Sequence, residues 1–172
     1  MRSGIRTDTL DLRDADHGDA ANIAAIYNRH VRETIVTFEL EEVADADMRA
    51  RIQHVQEAGL PWLVVAHDGA VRGYAYAAPW KSRAAYARTV ETSIYLDAEM
   101  SGRGHGKRLY AALIERLRIA GMHAAIGGAS LPNAASAALH EALGFRHVGV
   151  FREVGHKFGR WIDVGYWQLR LE

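Results

Sequence analysis

Three glycines at alternate positions are the clearest chemical feature of this sequence. Gly102, Gly104 and Gly106, called the glycine cluster below, directly precede an amphipathic helical stretch. Three basic residues stand among or after them: Arg103, Lys107 and Arg108. Glycines leave backbone N–H groups unobstructed, and a helix N-terminus carries free N–H groups and a partial positive charge. The cluster therefore predicts a site for a phosphate or pyrophosphate; the alternative is an ordinary glycine-rich turn between a strand and a helix.

Two standard phosphate-binding loops do not match the glycine cluster. A P-loop requires Ser or Thr after Gly-Lys, but Arg108 follows here, and the first glycine of that motif would fall on Ser101. The dinucleotide-binding fingerprint requires a further glycine at position 107 or 109, and these positions hold lysine and leucine. That fingerprint also follows the first strand of its fold, whereas this cluster comes late in the chain. A pyrophosphate loop late in an α/β domain remains.

The hydrophobic pattern around this loop predicts alternating strands and helices. Strands are predicted at 8–13, 62–66, 71–78, 89–96, 124–131, 145–153 and 161–171. Helices are predicted after an Asp16 N-cap, after an Asp45 or Asp47 N-cap, from the glycine cluster to Gly121, and at 133–143. The sequence between 67 and 70 contains Asp-Gly and predicts a hairpin turn. The sum is one α/β domain over residues 1–172 with a mixed sheet.

The composition excludes several classes of protein. The 172 residues are 49% hydrophobic and 24% charged, which is typical of a globular domain and not of a disordered chain. Lys plus Arg and Asp plus Glu each number 21, so we expect neither a nucleic-acid nor a membrane partner. The absence of cysteine excludes thiolate zinc sites and cysteine nucleophiles and fits a cytoplasmic location. The histidines show no metal-ligand spacing, so we expect no metal.

The glycine cluster and the residues after it resemble the GNAT superfamily of N-acetyltransferases. The pyrophosphate loop of that family has Gln or Arg, two residues, Gly, one residue, and Gly or Ala. Gly104 and Gly106 fill the glycine positions, whereas Ser101 departs from the family at the Gln or Arg position, with Arg103 as another source of positive charge. The family's downstream pattern is matched by Asn133, Ser136, Leu139, His140, Leu143, Gly144 and Phe145.

Other segments are similar to one branch of the family, the phosphinothricin and methionine sulfoximine acetyltransferases. His140 stands where many relatives have tyrosine, as in that branch. The further similar segments are 26–28, 37–39, 79–83, 89–91 and 157–165. Together the similar segments extend over most of the chain, and their order and spacing make the resemblance specific.

The resemblance implies a fold, a co-substrate and an acceptor. The GNAT fold has a mixed, mostly antiparallel central sheet flanked by about four helices. The co-substrate is acetyl-CoA, and the acceptor is the α-amine of a small amino acid analogue that attacks the thioester directly. The acetyl-CoA-binding residues implied are Ile94, Tyr95, Leu96, Gly102, Arg103, Gly104, His105, Gly106, Lys107 and Asn133. The acceptor-binding residues implied are Phe38, Lys81, Ser82, Arg83, Glu91, Thr92 and Ser93.

Two side chains are candidates for proton transfer. Glu91 is the candidate base because it lies on the strand before the glycine cluster, and a partly apolar site would raise its pKa. The alternative for Glu91 is a glutamate that faces solvent at a strand end. His140 takes the position of the family's tyrosine, which donates a proton to the leaving thiolate. Its alternatives are a second base or a histidine buried in the core.

Several alternatives stay open at the level of the sequence. The resemblance implies a homodimer, and the aromatic residues of the C-terminal strands are predicted in the core or at that interface: Trp161, Tyr166 and Trp167. The acceptor is alternatively another small amine or a protein N-terminus. The chain is alternatively a nucleotide-binding module without catalysis, because fold resemblance alone does not determine function.

Overall fold

A computed structural model describes residues 10–100 and 102–172 of the chain. The start of the predicted first strand at Asp8, and Ser101 in the predicted loop, lie outside the described residues.

The described residues form strands and helices that alternate along most of the chain. The strands are β1 (Leu10–Asp14), β2 (Trp62–His67), β3 (Ala70–Pro79), β4 (Thr89–Leu96), β5 (Ala124–Ser130), β6 (Arg146–Lys157) and β7 (Arg160–Arg170). The helices are α1 (Ala20–Glu33), α2 (Asp45–Glu57), α3 (His105–Ile119) and α4 (Ala134–Ala142). Short 3₁₀ turns occur at His17–Asp19, Ala84–Tyr86 and Ala98–Met100. The element order confirms the predicted mixed α/β fold.

The strands form one sheet in the order β1-β2-β3-β4-β5-β7-β6. Neighbouring strands are antiparallel except for β4 and β5, which are parallel. Their pairing runs from Thr89 opposite Ala124 to Thr92 opposite Gly127 and ends there, although β4 continues to Leu96. The two strands therefore separate and leave an opening between residues 93–96 and 128–130, which we call the cleft.

Helices cover both faces of the sheet. The Tyr95 ring of β4 meets the Tyr27 ring of α1 edge-on at 5.2 Å, which defines the α1 face. The hydroxyls of Thr92 in β4 and Tyr110 in α3 are 2.6 Å apart, which defines the α3 face. Because side chains alternate along a strand, Glu91 and Ser93 lie on the α1 face with Tyr95. Buried side chains of the helices fill both layers, among them Ile23, Met48, Ile52, Leu109, Leu113 and Leu117.

Local turn chemistry accounts for several of the element boundaries. Asp16 accepts a hydrogen bond from the Gly18 N–H at 2.7 Å and so caps the turn that leads into α1, as predicted. Gly121 and Gly144, with φ of 74° and 88°, follow the ends of α3 and α4. The N-cap prediction for α2 was wrong: Ala44 occupies that position without a side-chain cap, and the aspartates lie inside the first turn. There they favour the helix through its dipole.

Strand β6 continues four residues beyond its predicted end. The sheet register shifts between Phe151 and Gly155, so β6 contains a bulge there. Glu153 has a φ of 51° in this bulge, and its N–H donates to Asp163 of β7 at 2.9 Å. A bulge interrupts the alternation on which the prediction relied, and the strand resumes to Lys157 after it.

Candidate active site

The cleft between β4 and β5 is the centre of the candidate site. Val36, Ser93, Tyr95 and His140 line it together with Ser130. The Ser130 hydroxyl is buried and has no hydrogen-bond partner among the described residues. An unpaired buried hydroxyl costs about 1–3 kcal/mol, so it favours a ligand that brings a polar group into the cleft. The separated strands also leave backbone amide groups at this edge for such a ligand.

The glycine cluster lies beside the end of β4. Gly104 is the N-cap of α3 with a φ of 78°, and Gly102 has a φ of 75°, so both adopt conformations that favour glycine. Gly106 allows a close approach: a Cβ there would lie 2.9 Å from Leu96 Cδ1 and would push that side chain aside. The N-terminus of α3 therefore packs closely on β4, and no acidic residue occupies its first turn. This arrangement suits an anion next to the cleft.

Asn133 has two roles at the other side of the cleft. It is the N-cap of α4, where its Oδ1 accepts a hydrogen bond from the Ser136 N–H at 3.0 Å. Its side chain also lines the cleft. Because the cap uses the oxygen, the amide NH₂ is the group with which Asn133 can donate to a ligand.

Glu91 lies half-buried on the α1 face. It pairs with Ala78 of β3 and Ile126 of β5, in the last part of β4 that has strands on both sides. Burial raises the pKa of the Glu91 carboxyl, and the nearby Lys81 ammonium partly opposes this rise. Its charge also raises the pKa of the Tyr76 and Tyr166 phenols, which places both rings near it. A carboxylate of raised pKa is a stronger base than an exposed glutamate.

His140 is buried on the α3 face. Its ring stacks on Trp167 with centroids 5.4 Å apart and meets the edges of Tyr110 and Phe145. Its Nδ1 lies 2.7 Å from the Ser136 carbonyl oxygen. A carbonyl only accepts, so Nδ1 carries the proton and Nε2 is the acceptor of the neutral ring. Burial lowers the pKa of His140, which favours this neutral form.

The structure places the predicted acceptor-binding residues in two groups. Ser93 shares the α1 face with Glu91, and Lys81 lies near that carboxyl with its Nζ 4.6 Å from the centroid of the Trp80 ring. Ser82 and Arg83 are exposed on the loop after Lys81. Thr92 instead points to the α3 face, where its hydroxyl is within 2.6 Å of Tyr110 and donates to the Ile126 carbonyl at 3.2 Å.

Phe38 belongs to the segment between α1 and α2. It is 38% exposed, so it is neither fully in the core nor free in solvent. Its ring lies on β6, because a Cβ added to Gly155 would be 2.3 Å from Phe38 Cζ. Val36, two residues earlier, lines the cleft. The segment therefore forms one side of the space between the cleft and β6 on the α1 face.

Sequence reasoning missed some residues of this site. Tyr76 was not singled out, although the alternating tyrosines of β3 mark one face of that strand. Tyr166 was assigned to the core or an interface, but it lies near Glu91 and packs edge-on against Trp80. Of the other two aromatic residues in that group, Trp167 is buried and Trp161 is 63% exposed. No local signal marks Ser130, since its importance depends on where β5 leaves β4.

The structure bears on metal binding and on membrane insertion. Within residues 10–100 and 102–172, no group of three or more histidines or acidic residues is placed to hold a metal ion. None of the helices in the described part of the chain is long and apolar enough to span a bilayer.

Comparisons with known proteins agree with this geometry. Residues 12–165 match the model of the acetyltransferase (GNAT) domain family. A phosphinothricin N-acetyltransferase of Streptomyces coelicolor is 39% identical over 96% of this chain and 98% of its own length. An L-methionine sulfoximine/L-methionine sulfone acetyltransferase of Salmonella typhimurium is 38% identical over 95% of both chains. A Salmonella typhimurium protein solved with its cofactor acetyl-CoA superimposes with a TM-score of 0.93 at 36% identity, over 95% of both chains.

Proposed function

The chain belongs to the acetyltransferase (GNAT) family, and from that premise we propose which reaction its site performs. It is an acetyl-CoA-dependent N-acetyltransferase that acts on an amino acid. We propose that the acceptor is the α-amine of phosphinothricin or methionine sulfoximine. The acceptor is proposed from the relatives that act on these two compounds. The observation that carries the acetyl transfer itself is the cleft between β4 and β5, with the Glu91 carboxyl beside it on the α1 face.

Acetyl-CoA fits the residues around the cleft. We assign its pyrophosphate to the N-terminus of α3, from Gly102 to Lys107, where positive φ angles and free N–H groups suit an anion. The backbone of Ile94, Tyr95 and Leu96 is assigned to its amide-containing arm, because β4 loses its β5 partner there. The buried Ser130 hydroxyl and the Asn133 amide are polar groups available on the opposite side. When bound, acetyl-CoA supplies the activated acetyl group.

Glu91 is proposed to remove the first proton from the acceptor ammonium. The nitrogen must lose its positive charge before it forms a bond to the acetyl carbon and the C–S bond breaks. The raised pKa of Glu91 makes the carboxylate a suitable acceptor for that proton near neutral pH. The chain has no cysteine, which agrees with direct attack by the amine rather than transfer through a thiol of the enzyme.

His140 is proposed to exchange the second proton. Two protons leave the nitrogen, and one proton ends on the CoA sulfur. The hydrogen bond from Nδ1–H to Ser136 leaves Nε2 as an acceptor, so His140 first takes up a proton at Nε2 and then donates it to the thiolate. His140 therefore acts first as a base and then as an acid, both at Nε2. These are the two roles that the sequence left open for this residue.

The acceptor side chain is proposed to bind between Lys81, Arg83 and Phe38. Phosphinothricin and methionine sulfoximine carry tetrahedral polar groups at the end of a short apolar chain. Cations on the loop after β3 suit the oxygens of such groups, and Arg83 offers a planar fork of donors. The Phe38 ring offers an apolar surface at the edge of the same space.

The proposed reaction is tested by identifying its product. Incubation with acetyl-CoA and methionine sulfoximine is expected to yield the acceptor with one added acetyl group. NMR should place that group on the α-nitrogen. If a polyamine or a peptide N-terminus is acetylated and methionine sulfoximine is not, the protein is an acetyltransferase but the proposed acceptor is wrong.

We further propose that the protein is a homodimer. Large apolar side chains of the β6–β7 hairpin are more than half exposed: Val148, Phe151, Val154, Phe158 and Trp161. An exposed apolar surface of this kind favours association with a second copy. The mass in solution, compared between the wild type and Trp161→Asp, tests this proposal. A single domain over residues 1–172 and a cytoplasmic location stay predictions.

A further inference from the structure

Residues 36–39 form a short wall segment on the α1 face, and their position is defined at both ends. Val36 lines the cleft, and the Phe38 ring lies on Gly155 of β6. Tyr76 of β3 pairs with Ser93, two residues from Glu91 on the α1 face, and the charges of Glu39 and Glu91 add to the burial that raises the pKa of its phenol. Phe38 therefore flanks the space in which the acceptor is proposed to bind.

The helices hold the wall segment on one side. The Tyr27 hydroxyl of α1 lies 2.6 Å from the Thr37 hydroxyl and donates to Glu39 Oε1 at 2.9 Å. Because Tyr27 has one hydroxyl proton, it donates to Glu39 and accepts from Thr37. Arg51 of α2 binds both oxygens of the same Glu39 carboxylate, at 2.6 and 3.1 Å. The residues on either side of Phe38 are thus tied to α1 and α2.

The β6–β7 hairpin holds the wall segment on the other side. The Lys157 ammonium donates a hydrogen bond of 2.8 Å to the Thr37 carbonyl oxygen, across 120 residues of sequence. Lys157 is 2% exposed, and burial lowers the pKa of its ammonium. Its Nζ also lies 5.1 Å from the centroid of the Phe158 ring. Among the described residues, the Thr37 carbonyl is the oxygen that the structure gives this ammonium as a hydrogen-bond acceptor.

Folding stability alone does not account for a lysine at this position. A buried ammonium loses its hydration, and one backbone carbonyl restores only part of what water supplied. An apolar side chain of similar length would fill the same space without this cost. What an apolar side chain would not provide is a directed bond to Thr37, the residue that precedes Phe38.

We propose that Lys157 is a positioning residue for acceptor recognition, which acts by holding Phe38 through the Thr37 carbonyl. The inference rests on the proposed function in that Phe38 is taken as a wall of the acceptor site. It assigns no contact between Lys157 and the acceptor. Loss of the bond frees the wall segment on its β6 side, while the ties to Tyr27 and Arg51 remain.

The test is a double-mutant cycle between Lys157→Met and Phe38→Ala, with methionine sulfoximine as the acceptor. Lys157→Met is expected to raise the acceptor KM about two- to tenfold, the range for one hydrogen bond, with kcat and the acetyl-CoA KM unchanged. Phe38→Ala is expected to raise the acceptor KM by about tenfold or more. In the Phe38→Ala background, Lys157→Met should have no further effect, because the ring that it positions is gone.

Stability and a matched control separate positioning from general damage. Lys157→Met removes a buried charge but also leaves the Thr37 carbonyl without its partner, so these effects oppose each other and little net change in Tm is expected. A purely structural lysine would instead lower the Tm clearly on removal and leave the acceptor KM unchanged. Arg160→Met removes an exposed cation from the same hairpin and should leave both KM values unchanged. Gly155→Ala is a second variant in case Lys157→Met does not fold: its new Cβ displaces the Phe38 ring and should also raise the acceptor KM.

Three kinetic results would overturn the proposal. The first is an unchanged acceptor KM in both Lys157→Met and Gly155→Ala, and the second is an unchanged acceptor KM in Phe38→Ala. The third is that Lys157→Met raises the acceptor KM by the same factor in the wild type and in the Phe38→Ala background. Hydrogen exchange of the backbone amides in residues 36–39 gives a readout independent of activity. If exchange is faster in Lys157→Met but the protein acetylates neither phosphinothricin nor methionine sulfoximine, Lys157 does hold the wall segment and the proposed acceptor is wrong. Unchanged exchange would show that the hydrogen bond from Lys157 to Thr37 does not hold the wall segment.

Discussion

Glu91 and His140 lie on opposite faces of the sheet at adjacent positions of the β4–β5 pairing. Glu91 pairs with Ile126 and lies on the α1 face. The next pair joins Thr92 to Gly127, and a Cβ on Gly127 would lie 2.1 Å from His140 Nε2 on the α3 face. The strands separate directly after this pair. Both side chains therefore border the cleft from different sides, which suits two proton transfers that occur at separate atoms.

Glu91→Gln tests the proposed base. The amide cannot accept a proton, so kcat is expected to fall by about 10²–10⁴-fold, with a smaller change in either KM. In the wild type, kcat/KM should fall on the acid side as Glu91 becomes protonated. Because burial raises its pKa, this fall should occur at a higher pH than for an ordinary glutamate. An unaltered kcat and pH profile in Glu91→Gln would remove Glu91 from the chemistry.

Lys81→Met tests the electrostatic surroundings of Glu91. The Lys81 ammonium lowers the pKa of that carboxyl, so its removal should raise the pKa further and move the acid limb of kcat/KM to higher pH. Arg83→Gln is the matched control from the same loop. It should raise the acceptor KM without moving the limb, because Arg83 does not contribute to the pKa shift of Glu91. A limb that stays in place in Lys81→Met would contradict the account.

His140→Phe tests whether this histidine does more than pack. Phenylalanine retains the aromatic contacts with Trp167 and Tyr110 but has no nitrogen, so kcat is expected to fall about 10- to 100-fold. Loss of the side-chain hydrogen bond to the Ser136 carbonyl should lower the free energy of unfolding by about 0.5–1.5 kcal/mol. His147→Phe is the control, since His147 also packs on Trp167 and should leave kcat unchanged. If both variants keep the wild-type kcat, His140 only packs in the core and takes no part in proton transfer.

Gly104→Val tests the anion site at α3. Its Cβ would enter open space, but a β-branched residue at a φ of 78° is strained by about 1–3 kcal/mol and would distort the helix N-terminus. The acetyl-CoA KM should therefore rise by about tenfold, and the acceptor KM should not change. Gly149→Val also adds side-chain atoms in open space but at a position without positive φ, and it should leave acetyl-CoA binding intact. An unchanged acetyl-CoA KM in Gly104→Val would show that the glycine cluster does not bind acetyl-CoA.

The elements of the fold could be predicted because their signals are local. The Asp-Gly pair at the β2–β3 hairpin has φ of 51° and 79°, the conformation that such a turn requires. The glycines after α3 and α4 act in the same way. The N-cap prediction for α2 failed because aspartate is favoured both at the N-cap and in the first turn of a helix, and Asp45 and Asp47 lie in the first turn.

The site was only partly predictable because much of it depends on distant contacts. The spacing around Glu91 and the glycine cluster is local and was readable. Nothing within β4 or β5 indicates that their pairing ends at Thr92, because the pairing joins segments that are distant in the sequence. The bond between Lys157 and Thr37 joins residues 120 positions apart, and a lysine in a strand normally predicts exposure.

The release of free thiol from acetyl-CoA by the wild-type protein tests the central claim most directly. The panel contains methionine sulfoximine, phosphinothricin, methionine, glutamate and a polyamine, each at the same concentration. Rapid release is expected with the first two, and slow or no release with the others. Release with the polyamine alone would contradict the assigned acceptor, and no release with any of the five would contradict the assigned amino-acid acetyltransferase.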